Sequence, residues 1–172
     1  MKKITLTKRE GYDLSAVLAT TLREKAENLD FKEIIGVQKV VNSLVDGVKD
    51  YSEKFDALNK QKNTLVENAN KKIVAYRRDL AEKSKKDSKL DESYKQKVED
   101  FVNEMLEDAK REIEETISPE FKKLYEELGK TDISIELEDD KHKMTISLFE
   151  KFAKEYYTDK KAMVETYEKF TV

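Results

Sequence analysis

His142 is the only histidine in the chain, and two aspartates, Asp139 and Asp140, stand just before it. A histidine beside carboxylates is the pattern of a metal ligand set or of a general base. However, one histidine with two neighbouring carboxylates is a small ligand set, and the run from 138 to 142 is polar throughout, as exposed turns usually are. We therefore predict that His142 is a solvated turn residue with no metal or catalytic role.

Other motifs that carry catalysis are missing from the sequence. The chain has no cysteine, which excludes disulfides and thiolate chemistry, and its four scattered glycines form no P-loop, dinucleotide fingerprint or glycine elbow. The Glu-x-x-His motifs that bundle-type di-metal sites need are also missing. The sequence thus predicts a non-enzymatic protein without cofactors.

Carboxylates are concentrated between Glu99 and Glu120, where nine acidic residues against two basic ones give a net charge of −7. Such a stretch is either a solvated helix face with salt bridges to a neighbour, or an acidic surface that docks on a basic groove, including one meant for nucleic acid. Under the second interpretation, the candidate partner-binding residues, here called the acidic face, are Glu99, Asp100, Glu104, Glu107, Asp108, Glu112 and Glu115.

Residues 71–89 have the opposite charge, with eight basic and three acidic side chains and a net charge of +5. The candidate contact residues, here called the basic tip, are Tyr76, Arg77, Arg78, Lys83, Lys85, Lys86 and Lys89. Phosphate binding is one use of such a patch, but the whole chain carries −3 and no aromatic stacking platform accompanies the lysines. Solubility of the tip, or protein docking through Tyr and Arg, is the favoured interpretation.

The composition indicates that long helices position these charges. Charged residues make up 41% of the chain, against roughly 25% in an average domain, and there is one proline. Hydrophobic residues still reach 38%, which is too many for a disordered chain of this kind. No apolar run approaches the roughly 18 residues that a membrane span needs.

The clearest helical pattern runs from Ile34 to Ala69, where apolar residues alternate steps of three and four, with Lys62 the one charged exception. The first half of this seam has extra apolar residues, so we expect either a third helix or a second copy of the chain to cover it. A homodimer through residues 34–69 is thus one open alternative. A return helix begins near Leu90, which predicts a long antiparallel hairpin over 31–128.

Two further patterns complete that hairpin. The polar run 82–89 indicates its solvated tip, and Ser118-Pro119 is the pattern of a helix that ends and starts again.

The two ends of the chain predict a small α/β head built from 1–30 and 129–172. Residues 4–7 suit a short strand, and a helix capped by Thr7 or Asp13 follows it to about Asn28. Period-two alternation over 133–148 predicts a β-hairpin, with the N-terminal strand able to pair with its edge. A third strand or a helix must cover its apolar face. The aromatic tail, 149–170, is predicted to be helical and bent near Thr158.

The opening Lys3-Ile4-Thr5-Leu6-Thr7, the lysine-rich helical middle and the late Leu128-Gly129-Lys130-Thr131-Asp132-Ile133-Ser134-Ile135-Glu136 resemble small uncharacterised phage and prophage proteins of low-GC Gram-positive hosts. Those proteins run from a short strand through helices to an acidic-apolar tail. The resemblance implies a phage accessory protein in the cytoplasm of a bacterial host, and it brings no catalytic residues with it.

The expected fold class is therefore mainly α with a small β element. The expected function is protein binding, as a phage-encoded inhibitor of a host defence or nucleic-acid-handling complex that acts through charged helical surfaces. Two alternatives stay open: a virion, tail-assembly or scaffolding component, and a nucleic-acid binder that uses the basic tip.

Overall fold

The computed structural model describes the backbone of residues 1–172 and the side chains of residues 1–90 and 92–172. Helix accounts for 84% of the chain, and a two-stranded antiparallel sheet accompanies it, which confirms the predicted fold class. In chain order the elements are β1 (Lys2–Thr7), α1 (Lys8–Glu24), α2 (Phe31–Gly47), α3 (Lys49–Ser84), α4 (Ser88–Glu112), α5 (Ser118–Leu124), β2 (Asp132–Leu137), α6 (Asp139–Lys151) and α7 (Lys160–Thr171).

The chain divides into two compact units. Unit 1 comprises Met1–Lys54 and Leu124–Val172, and unit 2 comprises Phe55–Lys123. Unit 2 contains α4 and most of α3. Residues 31–54, which the sequence pattern assigned to the long hairpin, belong to unit 1 in the structure.

The sheet of unit 1 pairs β1 with β2, with Ile4 opposite Ile135 and Leu6 opposite Ile133. Because side chains alternate along a strand, these four residues share one face and all are buried. Helices α1, α2, α6 and α7 contribute most of the other residues of the same hydrophobic core. The N-terminal strand thus pairs with the strand near residue 133, as predicted, and helices cover the apolar face of the sheet, as predicted.

The second strand of the predicted 133–148 hairpin is wrong, because residues 139–151 form α6. Met144, Ile146 and Leu148 alternate as in a strand, yet the buried positions of α6 are His142, Thr145, Leu148 and Phe149. Their steps of three, three and one place them along one side of a helix. The alternation fails as a guide here because two polar residues, His142 and Thr145, occupy buried positions of the helix.

Capping boxes fix the starts of the first two helices. The Thr7 hydroxyl accepts the Glu10 N–H at 3.3 Å, and the Glu10 carboxylate accepts the Thr7 N–H at 2.8 Å, so Thr7 and not Asp13 caps α1. Asp30 and Glu33 repeat this arrangement at α2, with the Asp30 carboxylate 2.8 Å from the Glu33 N–H. These reciprocal bonds satisfy backbone donors that a helix start leaves free.

The apolar seam that begins at Ile34 is shared between two different packing environments. Val37, Val40 and Leu44 of α2 are completely buried in the core of unit 1, where α2 packs on α1 and α6. The helix path is interrupted at Val48, whose φ of −110° and ψ of 11° end α2. Helices of the same chain therefore cover part of the early seam, including Val40, whereas Ile35 and Val45 on the same helix stay exposed.

In unit 2, α3 and α4 form the predicted antiparallel helical hairpin. The Tyr76 and Phe101 rings stack with centroids 4.0 Å apart, and Phe55 meets Phe121 edge to face at 5.2 Å. Lower numbers on α3 therefore face higher numbers on the returning chain, as an antiparallel pair requires. Asp87 caps α4 at the tip by accepting the Lys89 N–H at 3.0 Å.

The return helix does not end at Ser118-Pro119, contrary to the sequence prediction. Ser118 has helical φ and ψ of −60° and −39°, and its N–H donates to the Ile113 carbonyl five residues back. Residues Ile113–Ile117 form a π-helical turn, which is wider than an α-turn and suits a run of apolar residues spaced by four. This turn lies just before Pro119, whose ring would crowd the carbonyl of a regular preceding turn.

The C-terminal segment is mainly helical, as predicted, but it is broken before Lys160 and not merely bent near Thr158. After α6 a short 3₁₀ turn covers Ala153–Tyr156, and α7 starts at Lys160 with Asp159 as its N-cap. The Asp159 carboxylate accepts the Lys161 N–H at 3.0 Å. Phe170, near the end of α7, is buried in the core of unit 1.

Candidate functional site

The structure corrects the prediction for His142. Its side chain is 6% exposed, its ring lies 5.2 Å from the Phe170 ring, and Nε2 is 2.6 Å from the Phe170 carbonyl oxygen. Because a carbonyl only accepts, the ring must carry its proton on Nε2. His142 thus joins α6 to the last turn of α7. Among the described side chains, no group of three or more His, Asp and Glu residues is arranged to hold a metal ion.

The acidic face lies on α4 and the π-turn after it, and all seven of its side chains are exposed. Asp100, Glu104, Asp108 and Glu112 follow one another at a spacing of four, so they form one ridge along the helix. Carboxylates at this spacing repel one another by about 0.2–0.5 kcal/mol per pair. The ridge therefore lowers the stability of α4 in the free protein.

Few cations neutralise the acidic face within unit 2. Asp108 forms an ion pair with Arg111, and Asp100 accepts a hydrogen bond from the Gln96 amide at 2.8 Å. The other five carboxylates have no ion pair or hydrogen bond to any side chain that the structure describes. Both contacts lie within α4, so among the described side chains no salt bridge joins the acidic face to the neighbouring helix, and the exposure of its residues fits a solvated helix face.

The charged residues of the basic tip are also exposed. Lys85 pairs with Glu82 at 3.0 Å, whereas the other tip lysines and both arginine side chains have no ion pair among the described residues. Tyr76 differs from the rest, because it is half-buried and stacks flat on Phe101. Its ring is therefore part of the hairpin seam and does not form an open stacking platform.

A small groove of about 200 Å³ follows the hairpin seam beside the acidic face. Its floor contains Ala69 and Ala109, whose short side chains leave the space open, and its rim contains Asp108, Glu112 and Lys72. Two carboxylates of the ridge thus border a depression of mixed polar and apolar lining. The acidic face therefore has a concave surface directly beside two of its carboxylates.

A polar cavity of about 270 Å³ in unit 1 was not anticipated from the sequence, and it is lined by Arg9, Glu10, Asp13 and Tyr125 among others. Burial raises the pKa of Asp13, and the nearby Asp159 adds to the rise. Burial also acts to raise the pKa of Glu10, but Lys169 and the Thr7 N–H outweigh it and hold that pKa below its ordinary value.

Several charged groups that line this cavity already make contacts within unit 1. Lys169 contacts both Glu10 carboxylate oxygens, at 2.7 and 2.9 Å, and Arg9 lies over the Tyr125 ring at 4.7 Å. The contact between Glu10 and Lys169 links α1 to α7 within unit 1, so we interpret this cluster as one that stabilises the packing of the two helices.

An apolar groove of about 400 Å³ between α2 and α6 was also missed. Phe31, Ile35, Gly36 and Met144 line it, with charged residues from both helices at its rim. Exposure of Phe31 could not be read from the sequence, because an aromatic residue at a helix start is usually counted as core.

Among the helices that the structure describes, none combines the length and the apolar character that crossing a membrane would require. Comparison with known proteins finds no match to any family model, to any curated protein or to any solved structure.

Proposed function

We propose that this protein is a non-enzymatic binding protein whose acidic face docks on a basic surface of a protein partner. One observation carries the proposal: five exposed carboxylates on one helical segment lack cationic partners among the described residues. Repulsion along the ridge costs stability in the free chain, and a basic partner would relieve it.

The setting that we propose follows from the phage resemblance of the two ends of the chain. In that setting the protein acts in the cytoplasm of a bacterial host, as a phage-encoded inhibitor of a defence or nucleic-acid-handling complex. Proteins of such complexes carry basic grooves for phosphate backbones, and an acidic helix can occupy such a groove. The groove beside Asp108 and Glu112 supports the same proposal, since it offers a depression next to these carboxylates that a side chain of the partner can enter.

The test compares two variants with equal changes in net charge. In the first, Gln replaces four residues of the acidic face, Glu99, Glu104, Glu107 and Glu112. In the control, Gln replaces four exposed acidic residues elsewhere, Glu27, Glu53, Glu127 and Glu155. Each protein is used to capture partners from a lysate of a low-GC Gram-positive bacterium, and circular dichroism verifies folding.

We expect the unaltered chain and the control variant to recover the same stoichiometric partner, and the acidic-face variant to lose it. Recovery should also fall with rising salt, because the contact is electrostatic. Absence of a stoichiometric partner, or equal recovery by both variants, would contradict the proposal.

Nucleic-acid binding through the basic tip is the second candidate, favoured by the tip cations that have no described ion pair. In that case the chain would shift the mobility of DNA or RNA at low salt, and the acidic-face variant would do so at least as strongly. A partner recovered only with nuclease-sensitive nucleic acid would favour this second candidate.

A further inference from the structure

The groove between α2 and α6 exposes apolar atoms that a core would normally cover. Phe31 is 79% exposed and Ile35 is 42% exposed, and both lie on the same side of α2, one helical turn apart. They share a cavity of about 400 Å³ with Met144 of α6. Contiguous exposed apolar residues of this kind, with a polar rim, are characteristic of interaction sites.

The floor of the groove combines a close helix approach with an adaptable side chain. A Cβ atom at Gly36 would come within 2.7 Å of the Met144 sulfur, so the missing side chain at Gly36 leaves room for the Met144 thioether. Methionine is flexible and polarizable, and it adjusts readily to the shape of an apolar ligand. The groove is therefore suited to an inserted apolar side chain.

The two edges of the groove differ in charge. On the α2 side, Lys32 and Lys39 are exposed and have no ion pair to any described side chain. On the α6 side, Glu138 pairs with Lys141, and the Asp140 carboxylate accepts the Lys141 backbone N–H at 2.8 Å. Free positive charge is thus available along the α2 edge.

We propose that this groove binds an acidic amphipathic segment of another protein. Its apolar anchors, one helical turn apart, would contact Phe31, Ile35 and Met144, and its carboxylates would face Lys32 and Lys39. This is the helix-in-groove mode of peptide recognition, in which anchors give affinity and the flanking charges give specificity. The proposal is independent of the acidic face, which lies in unit 2 and would recognise the opposite charge.

A random peptide library displayed on phage, selected against the full chain, tests the proposal without knowledge of the natural partner. We expect the enriched peptides to share large apolar residues three or four positions apart, with Asp or Glu between them. Labelled peptides are then measured by fluorescence anisotropy. Affinity should fall at least tenfold for I35D and for K32E/K39E, and it should weaken with added salt.

Two control variants match these changes at other sites. V164D places a carboxylate at another exposed apolar residue of unit 1, which is 47% exposed, and K122E/K123E makes the same charge change on α5. Both should bind the peptides as the unaltered chain does, and circular dichroism should show all four variants folded.

Several results would overturn the proposal. These are a failure to enrich any peptide, enrichment of basic or uncharged peptides, or full binding by I35D. Analytical sedimentation of the chain without peptide tests one more result. A dimer that I35D abolishes would also overturn the proposal, because a second copy of the chain would then fill the groove.

Discussion

Replacement of His142 by alanine tests the position of the one histidine most directly. The side chain is 6% exposed, and its Nε2 proton is donated to the Phe170 carbonyl, which lies in the last turn of α7 where the helix itself supplies no N–H. Loss of this bond leaves the carbonyl unsatisfied, at about 1–3 kcal/mol. The cavity left by the ring adds to this cost, so we expect H142A to lower the free energy of unfolding by about 2–4 kcal/mol.

Urea unfolding at pH 7, followed by circular dichroism, measures this change. Hydrogen exchange of the β1 and β2 amides follows unit 1 separately from the helical hairpin. K143A is the control, because Lys143 is the exposed neighbour on α6 and should cost less than about 0.5 kcal/mol. An H142A effect as small as that of K143A would refute the buried position and would favour a solvated turn.

Two further predictions concern unit 1. Because the pKa of Glu10 is held low by Lys169 and the Thr7 N–H, its stabilising effect is present at neutral pH and is lost as pH falls through that lowered pKa. E10Q should therefore cost about 1 kcal/mol at pH 7, and its difference from the unaltered chain should shrink below about pH 4 in urea titrations. A Cβ atom at Gly11 would lie 2.7 Å from the Ile133 Cδ1, an atom that valine lacks. G11A should therefore destabilise the I133V variant less than it destabilises the unaltered chain, with a coupling of about 1 kcal/mol in a double-mutant cycle. Strictly additive effects, or a pH-independent cost of E10Q, would contradict these two contacts.

The charged surfaces were predictable because their side chains need no tertiary contact to be exposed. A helix of α4's composition with an apolar stripe leaves its remaining positions to water, so Glu104 and its neighbours had to face outward. Tyr76 was less predictable, because its stacking on Phe101 depends on the register of the hairpin. The apolar groove beside Ile35 was missed for a similar reason, since its exposure depends on how closely α6 approaches α2.

The sequence by itself determined the helical hairpin of unit 2, the presence of the first strand and the place where that strand passes into α1. These features rest on local spacing and on hydrogen bonds within a few residues, as between Thr7 and Glu10.

Only the tertiary structure decided that 139–151 is a helix and that His142 is buried. Alternating apolar residues fit either a strand or one side of a helix over a short range. The choice depends on which neighbouring surfaces are available to bury the segment, and the main surface comes from α2, which is distant in the sequence.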